Sequence, residues 1–127
     1  MSYKKYQKKI ISAKSLVKKK LKNFVLCHGV FDLVHPGHLR HFFHAKEKAK
    51  ILVVSITSDQ YINKGVYRPF VNEKLRSLNL AALEVVDFVI INDNPDALPL
   101  LKKLKPNFFA KGFDYSSRSN KKTLAEE

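Results

Sequence analysis

Residues 24–43 read FVLCHGVFDLVHPGHLRHFF, and within this stretch the pattern of apolar residues changes. The unbroken apolar run FVLCHG (24–29) is typical of a buried strand. Pro36 suits the first turn of a helix, because that position needs no backbone amide. The following residues have helical periodicity, and we predict a helix over 36–49 with Leu39, Phe42, Phe43 and Ala49 on its inner face. The stretch therefore predicts a strand that leads into a helix.

The same alternation continues along the chain. Three further apolar runs predict strands: ILVVSI (51–56), DFVIIN (87–92) and NFFAKG (107–112). A helix is predicted after Asn72 as its N-cap, and a shorter one after Asp96, which ends ahead of Pro106. Strands that are apolar on both faces and alternate with helices indicate a parallel sheet covered on both sides. We predict an α/β, Rossmann-like fold that binds ligands beyond the carboxyl ends of its strands.

Length and composition narrow the class of protein. A chain of 127 residues has room for one domain of ordinary size. Its apolar runs are far shorter than the ~20 residues needed to span a bilayer, and no apolar signal segment follows the basic N-terminus. The single cysteine, Cys27, cannot form an internal disulfide, which favours a reducing compartment. We expect a cytoplasmic protein without a membrane span.

The formal net charge of +13 is concentrated near the N-terminus, where nine lysines precede the first predicted strand. Apolar residues recur among them at three- and four-residue steps. We therefore predict that residues 1–22 form a basic amphipathic helix and that 23–127 form the main domain. Its lysines either lie in solvent or contact a phosphate-rich molecule or a membrane surface. Nucleic acid is not the expected partner, since the chain has four arginines and no aromatic-rich binding signature.

The loop between the first strand and the first helix has the features of an anion site. The chain contains neither a G-x-G-x-x-G fingerprint nor a P-loop. The start of the helix offers backbone amides and the positive end of its dipole, and Gly37 allows an anion to approach the backbone. His35 and His38 can face that anion together, and an imidazole can gain positive charge near neutral pH. We predict that these two histidines bind a phosphate.

Four histidines spaced by three residues also raise the question of a metal site. They are His35, His38, His41 and His44. On a helix each three-residue step turns about 300°, so the fourth histidine points away from the first. No second cysteine or nearby acidic residue completes a zinc pattern. We therefore predict no metal site, and ordinary surface or boundary positions for His41 and His44.

Three segments in order resemble the nucleotidylyltransferase superfamily, whose hallmark is H-x-G-H after the first strand. They are FDLVHPGH (31–38), RPFVNEKLRSLNLAALEVVDFVI (68–90) and LLKKLKPNFFAKGFDY (100–115). The chain is similar to glycerol-phosphate cytidylyltransferases, to the heptose-phosphate adenylyltransferase domain and to cytidylyltransferase-like domains fused to sugar kinases. The resemblance implies transfer of a nucleoside monophosphate from CTP or ATP to a phosphorylated sugar or polyol, with release of pyrophosphate. The pathway that it implies is the synthesis of cell-surface carbohydrate precursors.

The resemblance also implies roles for particular residues. Four residues match family residues that take part in catalysis by contacting the triphosphate, the pyrophosphate or the acceptor. They are His35, His38, Lys64 and Arg76. Those matched to nucleotide binding are Gly29, Val30, Phe31, Asp32, Gly37, Lys111, Gly112 and Asp114. Mg²⁺ is implied as a companion of the triphosphate, with phosphate oxygens and water as most of its ligands.

Organisation beyond the site is implied in the same way. Family members often pair as homodimers, and some carry a sugar-kinase domain, which we would expect downstream here. Because the family has a later strand and a final polar segment, we expect 23–127 to lack the C-terminal end of the domain. The alternative to an enzyme is a non-catalytic domain that binds nucleotides, or a basic domain that binds nucleic acid.

Overall fold

The computed structural model describes residues 3–62 and 69–111, and describes residue 111 by its backbone alone. Three predicted site residues, Lys64, Gly112 and Asp114, lie outside the described residues, as does the side chain of Lys111.

Four strands and five helices make up the described part of the chain. The strands are β1 (Phe24–Gly29), β2 (Ile51–Thr57), β3 (Phe88–Asn92) and β4 (Phe108–Lys111). The helices are α1 (Lys4–Gln7), α2 (Ala13–Lys18), α3 (Pro36–Lys48), α4 (Glu73–Ala81) and α5 (Leu98–Leu104), with a 3₁₀ turn at Asp59–Tyr61. Each predicted strand is present, to within one residue at either end. Within these described segments, no helix has the length and apolar character needed to cross a membrane.

The four strands form one parallel sheet in the order β3-β2-β1-β4. The chain advances in one direction from β1 through β2 to β3, then crosses back to place β4 on the other side of β1. The direction of winding therefore reverses between β1 and β4. In open parallel sheets, ligands bind at such a reversal, in the crevice beyond the carboxyl ends of the strands. The topology points to the ends of β1 and β4 as the place for a site.

Helices cover both faces of the sheet, and the alternation of side chains along each strand explains why. Val25 and Cys27 of β1 pack with α3 and α4, whereas Phe24 and Leu26 pack with α2 and α5. Successive side chains of a strand point to opposite faces, so an unbroken apolar run must be covered twice. The prediction of an α/β parallel sheet with helices on both faces is confirmed.

The prediction of one continuous helix over residues 1–22 is wrong. Two short helices, α1 and α2, flank an extended segment in which Ile10 forms a parallel bridge with Val89 of β3. Backbone hydrogen bonds of 2.9 and 2.8 Å join Val89 to the residues on either side of Ile10. Pairing along β3 satisfies backbone groups that would otherwise form an open sheet edge, and Ser12 then caps α2. This long-range pairing outweighs the helical period of the segment.

The inner face of α3 also differs from its prediction. Phe42 is fully buried, but Phe43 is 54% exposed. Phe42 and Ala49 are buried as predicted, and the buried face of α3 also includes residues four apart at positions 37, 41 and 45. His41, predicted at the surface or boundary, is therefore buried and forms a hydrogen bond with the backbone of Ala110 in β4. Burial lowers the pKa of His41.

The starts of α4 and α5 follow their sequence signals. Asn72 caps α4 as predicted, and its Oδ1 accepts the amide of Leu75 at 2.9 Å. Asp96 lies one residue before the cap position of α5, and its Oδ1 accepts the amide of Leu98 at 2.9 Å. Both side chains satisfy an amide at the start of a helix that has no partner within the helix.

Candidate functional site

The loop from β1 to α3 is shaped by Phe31. This residue has a φ of 51°, in the left-handed region that few non-glycine residues adopt, and its ring is buried. The ring meets that of His38 edge-on at 5.1 Å and lies 5.2 Å from the ring of Phe42. A Cβ at Gly29 would lie 3.0 Å from the Phe31 ring, so a larger residue there would push the ring by a few tenths of an ångström. Such a backbone persists where its surroundings determine it, and it is common at binding sites.

His35 and His38 cap the start of α3 reciprocally. The Nδ1 atom of His35 accepts the amide of Gly37 at 3.0 Å, and the Nδ1 atom of His38 accepts the amide of His35 at 3.2 Å. The two rings stack, with centroids 3.9 Å apart and 25° between their planes. This arrangement is a capping box in which imidazoles replace the usual Ser or Thr and Glu. The cap therefore fixes the position of both rings.

The cap also determines which ring atoms can donate to a ligand. Because each Nδ1 atom accepts a backbone amide, each neutral ring carries its proton on Nε2. Two N–H donors are therefore held together at the carboxyl end of β1, one on the exposed ring of His35 and one on the half-buried ring of His38. The amide of Gly37, one of those at the start of the helix, donates to His35. The imidazoles, rather than that amide, offer the hydrogen bonds.

His38 is neutral at pH 7 in this structure. Burial, followed by the neighbouring His35 and His41, lowers the pKa of His38 from 6.5 to about 4. The prediction that this ring gains charge near neutral pH therefore does not hold without a ligand. A bound phosphate would raise the pKa of His38, because a nearby negative charge favours the imidazolium.

The lowered pKa of His38 is expected to make the fold less stable in acid. The contribution of the neutral His38 ring to the free energy of unfolding is fully present above pH 6.5. It is lost as the pH falls towards 4, because only the unfolded chain then takes up the proton. Since the ring is half-exposed and solvent screens its charge, we expect a loss of about 1 kcal/mol in the free energy of unfolding over this pH range. As the pH is lowered from 6.5 to 4, the melting temperature should fall less steeply for His38→Gln than for the wild type. The control His44→Gln should match the wild type, and equal slopes for all three would contradict the expectation.

Arg76 is fully buried in α4 and joins three parts of the chain. Its Nε donates to the carbonyl of Val71 at 2.9 Å, and its two terminal nitrogens donate to the carbonyl of Val30 at 2.9 Å and to Asp59 at 2.6 Å. These bonds tie the loop after β1 to the turn after β2 and to the segment before α4. They place Arg76 beneath the site loop, and its contact with the acceptor or the triphosphate stays a prediction.

Asp32 fixes the other side of the same loop. Its buried carboxylate accepts the amide of Phe70 at 2.9 Å and that of Val71 at 2.8 Å. These two bonds hold residues 70 and 71 against the loop after β1. A carboxylate that accepts two backbone amides is well stabilised in its ionised form. The structure gives Asp32 this positioning role, and direct contact with a nucleotide stays a prediction.

The structure thus brings most of the predicted site residues to one end of the sheet. Eight of them cluster there: Gly29, Val30, Phe31, Asp32, His35, Gly37, His38 and Arg76. The backbone of Lys111 lies beside β1 in β4, opposite His28.

Two residues that were not predicted as site residues also belong to this end of the sheet. The Nδ1 atom of His28 lies 2.6 Å from the hydroxyl of Ser55 in β2. Asp59 binds Arg76 and also accepts the amide of Glu73 at 3.2 Å. Their sequence signal is their position at strand ends, which turn chemistry alone can also explain.

Comparison with known proteins extends the match across the chain. The family described as cytidylyltransferase-like matches residues 26–126. Bifunctional protein HldE of Campylobacter fetus is 39% identical over 117 residues, which are 89% of this chain and 26% of that protein. HldE of Helicobacter pylori is 40% identical over 105 residues, 81% of this chain and 22% of that protein. The chain thus spans about a quarter of the length of these curated relatives.

A solved structure agrees with the topology. The crystal structure of a lipopolysaccharide core biosynthesis protein from Thermoplasma volcanium superposes with a TM-score of 0.64, over 82% of this chain and 87% of that one. At 24% sequence identity, this likeness concerns the fold. The family match, by contrast, runs from β1 through the histidine loop to β4 and beyond. By that match, this chain belongs to the cytidylyltransferase-like family.

Proposed function

We propose that this chain is a nucleotidyltransferase domain. It moves a nucleoside monophosphate from CTP or ATP to a phosphorylated sugar or polyol and releases pyrophosphate, in the synthesis of cell-surface carbohydrate precursors. The observation that carries the proposal is the histidine cap, which holds two Nε2 donors together at the start of α3. This place lies where the winding of the sheet reverses, the usual ligand crevice of the fold.

The proposed reaction needs positioning and charge stabilisation more than a nucleophilic side chain. An oxygen of the acceptor phosphate attacks the α-phosphorus, and the bond from that phosphorus to the bridging oxygen of pyrophosphate breaks. Negative charge then accumulates on the α-phosphate and on the departing pyrophosphate. His35 and His38 donate to these oxygens through Nε2, and proton uptake by His38 would follow the growing charge.

Arg76 and Asp32 act in this proposal as positioning residues. Arg76 supports the loop through the carbonyl of Val30, and Asp32 holds the amides of Phe70 and Val71. Neighbouring segments of the site are thereby kept in one arrangement, which is the main requirement of phosphoryl-type chemistry.

Other contacts to the nucleotide complete the proposal. Lys64, Lys111, Gly112 and Asp114 are proposed to contact its phosphates or lie beside it, by their match to the family motif. Mg²⁺ is proposed to bind with the triphosphate and to neutralise its charge. No group of three or more His, Cys, Asp or Glu side chains among residues 3–62 and 69–110 is placed to hold a metal ion. The proposal therefore assigns phosphate oxygens and water as the magnesium ligands. Homodimer pairing and a sugar-kinase domain in the longer protein are proposed on the same resemblance.

The first test is a thermal melt of the chain with each of CTP, ATP, GTP and UTP, with Mg²⁺ present. A ligand at 100 times its dissociation constant stabilises the folded state by about 2.7 kcal/mol, which raises the melting temperature by several degrees. We expect CTP or ATP alone to do so, and release of pyrophosphate when a panel of sugar and polyol phosphates is added. A shift without turnover would support the non-catalytic alternative. The absence of any shift would contradict nucleotide binding by this chain.

A further inference from the structure

A second surface feature lies at the opposite end of the sheet from the histidine cap. Helices α2 and α5 pack side by side there and leave a groove of about 260 Å³, which we name the α2–α5 groove. Its lining consists of Leu16, Val17, Lys20, Leu21, Phe24, Lys103, Leu104 and Lys105. Phe24 is the first residue of β1, whereas the site loop follows the last one, so the two places are roughly 17 Å apart along the strand. The groove is therefore separate from the proposed nucleotide site.

The α2–α5 groove combines an apolar floor with a cluster of positive charge. Val17 is 45% exposed at this surface although its neighbour Leu16 is buried. Three lysines form the rim, and the sequence contains no acidic residue in 1–31 or in 97–111, the two stretches that build the groove. An unbalanced cluster of ammonium groups attracts a polyanion, and its long aliphatic stems can lie along apolar surface while the charges stay at the rim.

Backbone conformation singles out two of these lysines. Lys20 and Lys105 follow the ends of α2 and α5 and have φ values of 52° and 51°. Glycine or asparagine is the usual residue at a left-handed position after a helix, because a longer side chain is strained there. Three non-glycine residues in the described part of the chain have positive φ, and two of them lie on this rim. The left-handed turns at these two positions end both helices at the groove and place a lysine at each end.

We propose that the α2–α5 groove is a docking surface for an anionic lipid bilayer. Lys20, Lys103 and Lys105 bind headgroup phosphates, and Val17 enters the boundary between headgroups and acyl chains. The apolar floor favours lipid over nucleic acid, which would require arginine contacts to phosphate or exposed rings for base stacking, and the one aromatic ring of the lining, Phe24, is buried. Docked in this way, the chain keeps the histidine cap at the far end of the sheet, facing away from the bilayer.

Vesicle co-sedimentation tests the charge requirement. The probes are vesicles of phosphatidylcholine with about 30% phosphatidylglycerol and vesicles of phosphatidylcholine alone, at about 0.15 M salt, where the screening length is short. We expect binding to the anionic vesicles only. K20Q/K103Q/K105Q should weaken it roughly 100-fold, at about fivefold for each lysine near the surface. The control R40Q/K74Q, which removes two exposed cations near the starts of α3 and α4 and so at the histidine end of the sheet, should weaken it less than about fivefold. Equal losses in both variants, or no binding by the wild type, would overturn the proposal.

A second variant separates lipid from other polyanions. Val17→Gln keeps every lysine and the net charge and changes an exposed side chain, so its melting temperature should stay close to that of the wild type. We expect it to lose roughly tenfold in vesicle binding, because the apolar contact with the acyl-chain boundary is lost. If Val17→Gln binds the anionic vesicles as well as the wild type, or if duplex DNA binds the wild type more tightly than the vesicles do, the groove recognises charge alone and the lipid proposal fails.

Discussion

His38→Ala is expected to lower turnover by about 10²–10³-fold, the usual effect of removing one hydrogen-bond donor from developing negative charge. The same change removes half of the capping box, which should cost about 1 kcal/mol of folding free energy and leave the fold intact. Pyrophosphate release, measured with the nucleotide that stabilises the chain and with its sugar or polyol phosphate acceptor, reports the first effect. A thermal melt reports the second.

Two further variants distinguish catalysis from capping. His38→Gln keeps a side chain that can accept the amide of His35, as glutamine does in an ordinary capping box, but it lacks the imidazole. It should therefore recover the stability lost in His38→Ala without recovering turnover. His44→Ala removes an exposed histidine from the same helix and should leave both properties unchanged. Turnover near the wild-type rate in His38→Ala would refute the proposed site.

Arg76→Met is expected to be strongly destabilising, at about 2–3 kcal/mol, which lowers the melting temperature by roughly 6–15 °C. The methionine fills much of the same space, but it leaves the carboxylate of Asp59 and the carbonyls of Val30 and Val71 without the guanidinium. The cost arises mainly at the two partly buried backbone carbonyls, which lose their donor, because the Asp59 side chain is 37% exposed and can be solvated by water. Because Arg76 supports the loop after β1, nucleotide binding should weaken in parallel.

Arg40→Met is the matched control, since Arg40 is exposed on α3 and its loss should change stability by less than about 0.5 kcal/mol. Combining Arg76→Met with Asp59→Asn should cost less than the sum of the two single changes, because each removes the same interaction. Additive effects, or an Arg76→Met variant as stable as Arg40→Met, would show that the ion pair of Arg76 with Asp59 does not hold the loop.

The histidine cap and Arg76 differ in how far they could be predicted. His35 and His38 lie within one turn of each other, so the spacing in HPGH already places them together at the start of a helix. The spacing does not predict that both Nδ1 atoms cap the helix, which leaves Nε2 as the donor of each ring. It also does not predict that His38 is neutral. Those features depend on the backbone of the cap and on the burial of one ring.

Arg76 and Asp32 depend on contacts far apart in sequence. Arg76 reaches Val30 across 46 residues, and Asp32 reaches Phe70 across 38. On the sequence alone, Arg76 is one charged residue on an amphipathic helix, a pattern that indicates a solvent-exposed position as readily as a buried one. Only the packing of α4 against the sheet removes its guanidinium from water and selects its partners.

By itself, the sequence determined the local elements of this protein. Apolar runs short enough for strands, separated by residues of helical period, specify a parallel sheet buried on both faces, because each element must cover its own apolar surface. Tertiary structure decided the rest. It extended residues 9–11 along the edge of β3, turned His41 inward and placed Arg76 under the site loop. Each of these outcomes depends on backbone pairing or burial between segments that are far apart in sequence, which the local periodicity does not encode.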